Sequence, residues 1–199
     1  VNQNIYKKTY LQGKLMARIS KEEDILELFF NEPTKHWHFS KIREKVPIAE
    51  NKISKWLKKF QKEKFIKRIK EKKKQPYYIG NHEAPEYRNT KKLFALKKFH
   101  QSGLLNHLAS LEKAETIVIF GSFSRSDWYT KSDIDIFIYG NADDFDLWKY
   151  QKKLHNEIQL FHSENKKDLS KYSEGLMKNI IKGYFIKGNL DFLEVKANA

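Results

Sequence analysis

Apolar positions recur at helical spacing over residues 22–30, where Ile25, Leu28 and Phe29 form one stripe that Asn31-Glu32-Pro33 ends. Ser40 stands where it would cap a short helix over residues 40–46, which Pro47 closes. A third helix is expected from about Glu50 to Lys62, with Ile53, Trp56, Leu57 and Phe60 on one face. The period then changes to that of strands: residues 65–70, a basic turn at 71–76 and a return over 77–79 that stops at Gly80-Asn81. Helical spacing resumes over residues 87–102, with Leu93, Leu96 and Phe99 on one stripe, Lys91, Lys92, Lys97 and Lys98 off it, and Gly103 at the end. This segment reads as a connecting helix or as a dimer contact.

Beyond Gly103, helical and strand patterns alternate. A helix over 104–114 leads to a strand over 116–120, and Ser122 opens another helix. A strand from residue 134, a helix over 145–155, a strand over 158–161, a helix over 176–182 and closing elements at 184–186 and 192–195 follow. The fold class predicted is α+β: an N-terminal helical module with a hairpin over 20–82, a linker helix over 86–102 and a small mixed sheet with helices packed on it over 103–196.

Charge divides the chain in the same place. Residues 1–100 carry 26 Lys/Arg against 11 Asp/Glu, net +15, and residues 101–199 carry 13 against 14, net −1, which together give the +14 of the whole chain. A basic half joined to a near-neutral half suggests two tasks, the first with a polyanion. On the third helix Lys52, Lys55, Lys59 and Lys62 form a stripe separate from the apolar one, and Lys72 and Lys73 lie in the basic turn. Lysine predominates over arginine there, which favours phosphate contacts over base reading and predicts salt-sensitive binding to double-stranded DNA. The chain has no cysteine, which removes disulfides, thiolate metal sites and cysteine nucleophiles. No apolar run has membrane-spanning length and no leader pattern precedes the first residues, so a soluble, cytoplasmic protein without a membrane partner is expected.

The candidate chemistry lies at residues 117–139. An apolar strand runs into Gly121-Ser122, a polar loop follows, and Asp133-Ile134-Asp135 opens the next strand. Alternate residues of a strand share a face, so Asp133 and Asp135 point together while Ile134 and Ile136 face the core. Paired carboxylates repel unless a cation sits between them, and hard oxygen ligands suit Mg²⁺ (or Mn²⁺) with substrate phosphates completing its shell. Gly121 lets the backbone pass close to a phosphate, and Ser122 offers a hydroxyl and an amide to an anion. Trp128-Tyr129, in the loop between these elements, is placed either to stack on a base or to pack against the sheet. His36-Trp37-His38 reads as packing and surface residues, two histidines without further ligands being a poor metal site.

This segment resembles the signature of the nucleotidyltransferase superfamily that includes DNA polymerase beta, in its minimal form. Helices, a basic hairpin, a linker helix and a minimal transferase ending in Ile180-Ile-Lys-Gly-x-x-Ile-x-Gly188 are together similar to archaeal-type two-domain proteins with a winged helix-turn-helix. The resemblance implies that Gly121 and Ser122 bind an NTP (ATP is the expected one) and that Asp133 and Asp135 are the catalytic, metal-holding pair, with Arg125 placed either to neutralise phosphate charge as part of the nucleotide site or to form a structural salt bridge. It also implies that the third helix lies in the major groove with the hairpin as wing. Relatives take a third carboxylate from the next strand, where this chain has Gln159, with Glu157 on the same side two residues earlier and Asp191 and Glu194 as later alternatives. Where relatives often read Gly-Ser-x-Ala-Arg-Gly, this chain reads Gly121-Ser-Phe-Ser-Arg-Ser126. Two functions follow. One is Mg-dependent transfer of an NMP to a protein, RNA or small molecule, a separate toxin-type ribonuclease among the acceptors. The other is a DNA-binding regulator whose transferase-like domain binds nucleotide without turnover. A homodimer suits either.

Overall fold

The computed structural model describes residues 20–193. The chain separates into two compact units, with the division between Tyr87 and Arg88.

The first unit runs α1 (Lys21–Asn31), β1 (Trp37–His38), α2 (Phe39–Lys45), α3 (Glu50–Lys62), β2 (Ile66–Ile69) and β3 (Tyr77–Gly80). Ser20 starts α1 through a reciprocal cap: its Oγ accepts from Glu23 N at 3.2 Å, and the Glu23 carboxylate accepts from Ser20 N at 2.9 Å. Such a box stabilises a helix by about 1 kcal/mol. Ile25, Phe29 and Phe30 of α1, Ile42 of α2 and Ile53, Leu57 and Phe60 of α3 are buried together with Trp37, Ile66 and Tyr77. The strands form a three-stranded antiparallel sheet in the order β1-β3-β2. Strand β1 was not expected from the sequence. It pairs Trp37 with Tyr78 and His38 with Tyr77. Helix α2 begins one residue before Ser40, behind His38 with no side-chain cap, which corrects the capping role given to Ser40.

Helix α4 (Pro85–Ser102) starts in the first unit, where Tyr87 is buried and donates its hydroxyl to Phe29 O at 2.8 Å. The rest of α4 belongs to the second unit, followed by α5 (Leu104–Ala109), β4 (Ala114–Phe120), α6 (Gly121–Arg125) and β5 (Ile134–Gly140). Then come α7 (Leu147–Leu154), β6 (Ile158–Ser163), a 3₁₀ turn (Lys166–Lys171), α8 (Glu174–Ile181) and β7 (Tyr184–Lys187). The sheet order is β6-β5-β4-β7, with β5–β6 parallel and the other pairs antiparallel. Helix α5 is shorter than predicted: it stops at Ala109, and Ala114 already belongs to β4. Phe192 and Leu193 lie in a turn, whereas Glu194 and Val195 fall outside the described residues.

One expectation about faces is corrected. Leu93, placed on the apolar stripe of the linker helix, is 67% exposed, and Lys91, placed off it, is 1% exposed. The buried side of α4 in the second unit is Lys91, Phe94, Ala95 and Phe99. In the sheet Ile134 and Ile136 face the core as expected, and the opposite face is apolar as well. Ile134, Ile136 and Ile138 are fully buried on one face, and Phe137 and Tyr139 join Val118, Phe120, Ile180 and Phe192 in a core on the other. Asp135 shares the Phe137 face, so its carboxylate stands at the open end of a hydrophobic layer.

Candidate functional site

Antiparallel pairing sets Phe120, the last residue of β4, opposite Asp135. The chain then turns at Gly121, whose φ of +67° is a left-handed conformation that side chains disfavour. A Cβ on Gly121 would lie 1.9 Å from Asp135 Oδ2 and 2.8 Å from its Cγ, so the carboxylate occupies the space a side chain would need. Gly121, expected from the sequence to let the backbone approach a phosphate, makes room for the acid.

Asp135 is half-buried, and its pKa is pushed up to about 6, first by burial and then by the neighbouring Asp133, with Arg125 opposing both. Both burial and the second acid penalise a charged Asp135, and a divalent cation is a species that offsets both. The donor set of hard carboxylate oxygens fits Mg²⁺ or Mn²⁺.

On the other side of Asp135 the parallel register places Gln159 directly beside it. Gln159 Nε2 donates to Asp133 Oδ2 at 2.7 Å. The register also decides the position of Glu157, whose main-chain oxygen accepts from Ile134 N at 2.9 Å and whose side chain is exposed. Among the described residues no group of three His, Cys, Asp or Glu side chains is close enough to hold a metal, so neither Glu157 nor Asp191 supplies a third ligand in this arrangement.

Ser122 is half-buried, and its carbonyl accepts from Asp127 N at 3.1 Å. Arg125 forms a two-pronged ion pair with Asp127, Nε to Oδ2 at 2.9 Å and Nη2 to Oδ1 at 3.4 Å. Ser126 takes the left-handed conformation at φ 64°, where relatives often carry glycine. Trp128 is buried and stacks on Phe123 at 5.2 Å between centroids, so it is packing, while Tyr129 is exposed.

In the first unit the basic residues divide into two groups. Lys52, Lys55 and Lys62 are exposed on α3, and Lys72 and Lys73 are exposed in the β2–β3 turn. Lys59 is held by Glu22 of α1 at 2.8 Å, which lifts its pKa through that hydrogen bond. Arg43 pairs with Glu50. His36 stacks on Tyr77 and His38 bonds to Pro76 O, in keeping with a packing role. No helix among the described residues is long and apolar enough to cross a membrane.

In the second unit a mixed sheet carries a glycine-backed turn and an acid pair on adjacent strands. Consistent with this, residues 104–189 match the family model for polymerase beta, nucleotidyltransferase. The match supports the nucleotidyltransferase superfamily for the second unit and does not extend to residues 1–103. No curated protein and no solved structure matches the chain.

Proposed function

We propose that the chain is a nucleotidyltransferase coupled to a DNA-binding winged helix-turn-helix. It transfers an NMP from an NTP, ATP being the expected one, to an acceptor in the cytoplasm. The observation that carries the catalytic half is the packing of Asp135 against Gly121 beside Asp133, where burial first and the neighbouring acid second raise the pKa of Asp135. Mg²⁺ or Mn²⁺ held by Asp133 and Asp135 supplies neutralising charge on the triphosphate oxygens. Gly121 lets the main chain approach the phosphates, Ser122 offers its hydroxyl, and Arg125 adds positive charge once it exchanges Asp127 for phosphate. In the reaction an acceptor oxygen bonds to the α-phosphorus, and the bond to the bridging oxygen breaks. Pyrophosphate leaves with the electron pair, and the acceptor proton goes to solvent or to a base of the acceptor. Gln159 cannot take that proton, since an amide has no basic site at working pH.

That last point favours a second reading, a DNA-binding regulator that holds nucleotide without turnover. Its specific support is the hydrogen bond from Gln159 to Asp133, which occupies one of the two metal-facing acids. Incubation with Mg²⁺ and each labelled NTP, followed by mass spectrometry of protein, RNA and candidate partner proteins including toxin-type ribonucleases, separates the two. Transfer that disappears in Asp133→Asn/Asp135→Asn supports the enzyme. Nucleotide-dependent change in duplex affinity without any labelled product supports the regulator.

For the DNA-binding half the support is the exposed lysine row opposite Ile53, Leu57 and Phe60, together with Lys72 and Lys73 on the hairpin. Phosphate contact by these residues calls for duplex affinity that falls steeply with salt, and a homodimer would double the contacts. Absence of duplex binding at low salt would remove this half of the proposal.

A further inference from the structure

Lys91 is one of the largest wholly buried side chains, although burying an ammonium is costly and a methionine would fill the same space without that cost. Its Nζ donates to the main-chain oxygen of Trp128 at 2.6 Å and lies 4.5 Å from the Trp128 ring centroid and 5.7 Å from that of Tyr129. Burial lowers its pKa to about 8, with Asp127 opposing the shift.

What Lys91 grips is the segment that joins the two halves of the nucleotide site. Trp128 stacks on Phe123 with the rings 14° from parallel. Phe123 in turn packs against Phe99, farther along the same helix as Lys91, at 5.2 Å. Phe123 stands two residues after Gly121, whose backbone makes room for Asp135. On the other side, Tyr129 N donates to Ser132 Oγ at 2.8 Å and Ser132 N to Tyr129 O at 3.0 Å, which closes a turn directly before Asp133. Helix α4 therefore braces α6 through Phe99 and the following loop through Lys91. A purely apolar contact would brace the ring of Trp128, whereas only a donor fixes its carbonyl.

We propose that Lys91 is a positioning residue for the nucleotide site, its ammonium fixing residues 126–132 so that Gly121-Ser122 and Asp133 are set in place before nucleotide arrives. This rests on reading that site as one for Mg·NTP. Freeing even one or two loop residues restores conformational entropy that binding must then remove. Lys91→Met should therefore weaken binding by roughly tenfold or more.

Amide exchange and calorimetry with Mg·ATP, Mg·GTP, Mg·CTP and Mg·UTP test the proposal on the full chain. Wild-type residues 126–132 should exchange slowly without nucleotide; fast exchange that slows only on adding Mg·NTP overturns it. Lys91→Met should keep or raise the melting temperature, speed exchange at 126–132 and weaken the Kd, while Lys91→Arg retains much of the affinity. An unchanged Kd in a folded Lys91→Met overturns it, and if that variant does not fold, wild-type exchange decides. Asp133→Asn/Asp135→Asn should lose nucleotide yet keep the slow exchange. Failure of wild type to bind any of the four NTPs refutes the site reading, and the exchange result still decides whether Lys91 orders the loop.

Discussion

Replacing Gly121 by alanine tests the link between backbone and acid pair. Two costs arise, and the structure separates them. An alanine at φ +67° costs roughly 1–2 kcal/mol for the left-handed backbone, less about 0.4–1 kcal/mol recovered from a stiffer unfolded chain. The new Cβ must also displace the Asp135 carboxylate, since it would stand 1.9 Å from Oδ2, and overpacking of this kind costs about 1–3 kcal/mol. Gly103 provides the control: it has φ +84° but nothing within 4 Å of its Cβ position, so Gly103→Ala carries the backbone cost alone. Urea denaturation of both variants should show Gly121→Ala as the more damaging, by about 1–3 kcal/mol. In an Asp135→Ala background, where the nearest remaining side-chain atom is Cβ at 3.3 Å, that excess should largely vanish. Equal destabilisation by the two glycine variants, or an excess that survives in the Asp135→Ala background, would refute the claim that Gly121 is glycine to admit this carboxylate.

Four further outcomes follow from the same geometry. The folded-state pKa of Asp135 lies above its ordinary 3.8, so its charged form disfavours folding, and its contribution falls as pH rises from 3.8 through about 6; Asp135→Asn should be more stable than wild type at pH 7 without Mg²⁺, an advantage that disappears near pH 3 in parallel thermal melts. Gln159→Asp adds a third acid beside Asp135, so it should destabilise the metal-free domain and increase the thermal upshift caused by Mg²⁺; a smaller upshift than wild type would count against the position of Gln159 in the site. Ser126→Gly relieves a left-handed residue and should stabilise by up to about 1 kcal/mol in denaturant titrations. Lys55→Ala should lower duplex affinity and reduce the salt slope by about 1, whereas Lys59→Ala, losing a lysine already held by Glu22, should do so less.

The strongly periodic parts of the chain were legible. Helix α3 runs from Glu50 to Lys62 as its apolar stripe requires, and the β2–β3 hairpin sits around its basic turn. The acid pair was legible because alternation along a strand needs no knowledge of neighbours. Non-local facts were hidden. Strand β1 is only Trp37–His38 and exists because β3, some forty residues on, offers it partners. The bond from Gln159 to Asp133 depends on the parallel register of β5 and β6, which no local pattern contains. Lys91 was hidden by its own chemistry: Tyr87, Lys91, Phe94 and Phe99 continue one buried helical stripe, but a lysine in an apolar slot reads as a solvent residue, and Leu93 drew the stripe to the wrong side.

The hidden contacts of Gln159 and Lys91 converge on the segment between Gly121 and Gln159. A carboxylate at the place of Gln159 would add a third negative charge to a half-buried pair in which one acid already resists ionisation. The amide avoids that repulsion and, by donating to Asp133 Oδ2, fixes the position of that carboxylate. The same substitution withdraws the base that would deprotonate an acceptor. On the proposed reading of the site, pre-organisation and proton abstraction compete for one side-chain position, and Gln159 serves the first. On the proposed transferase reading, the acceptor proton passes to solvent or to a base that arrives with the acceptor, so acceptors that carry a base beside their nucleophilic oxygen, or whose oxygen is already ionised, should react fastest.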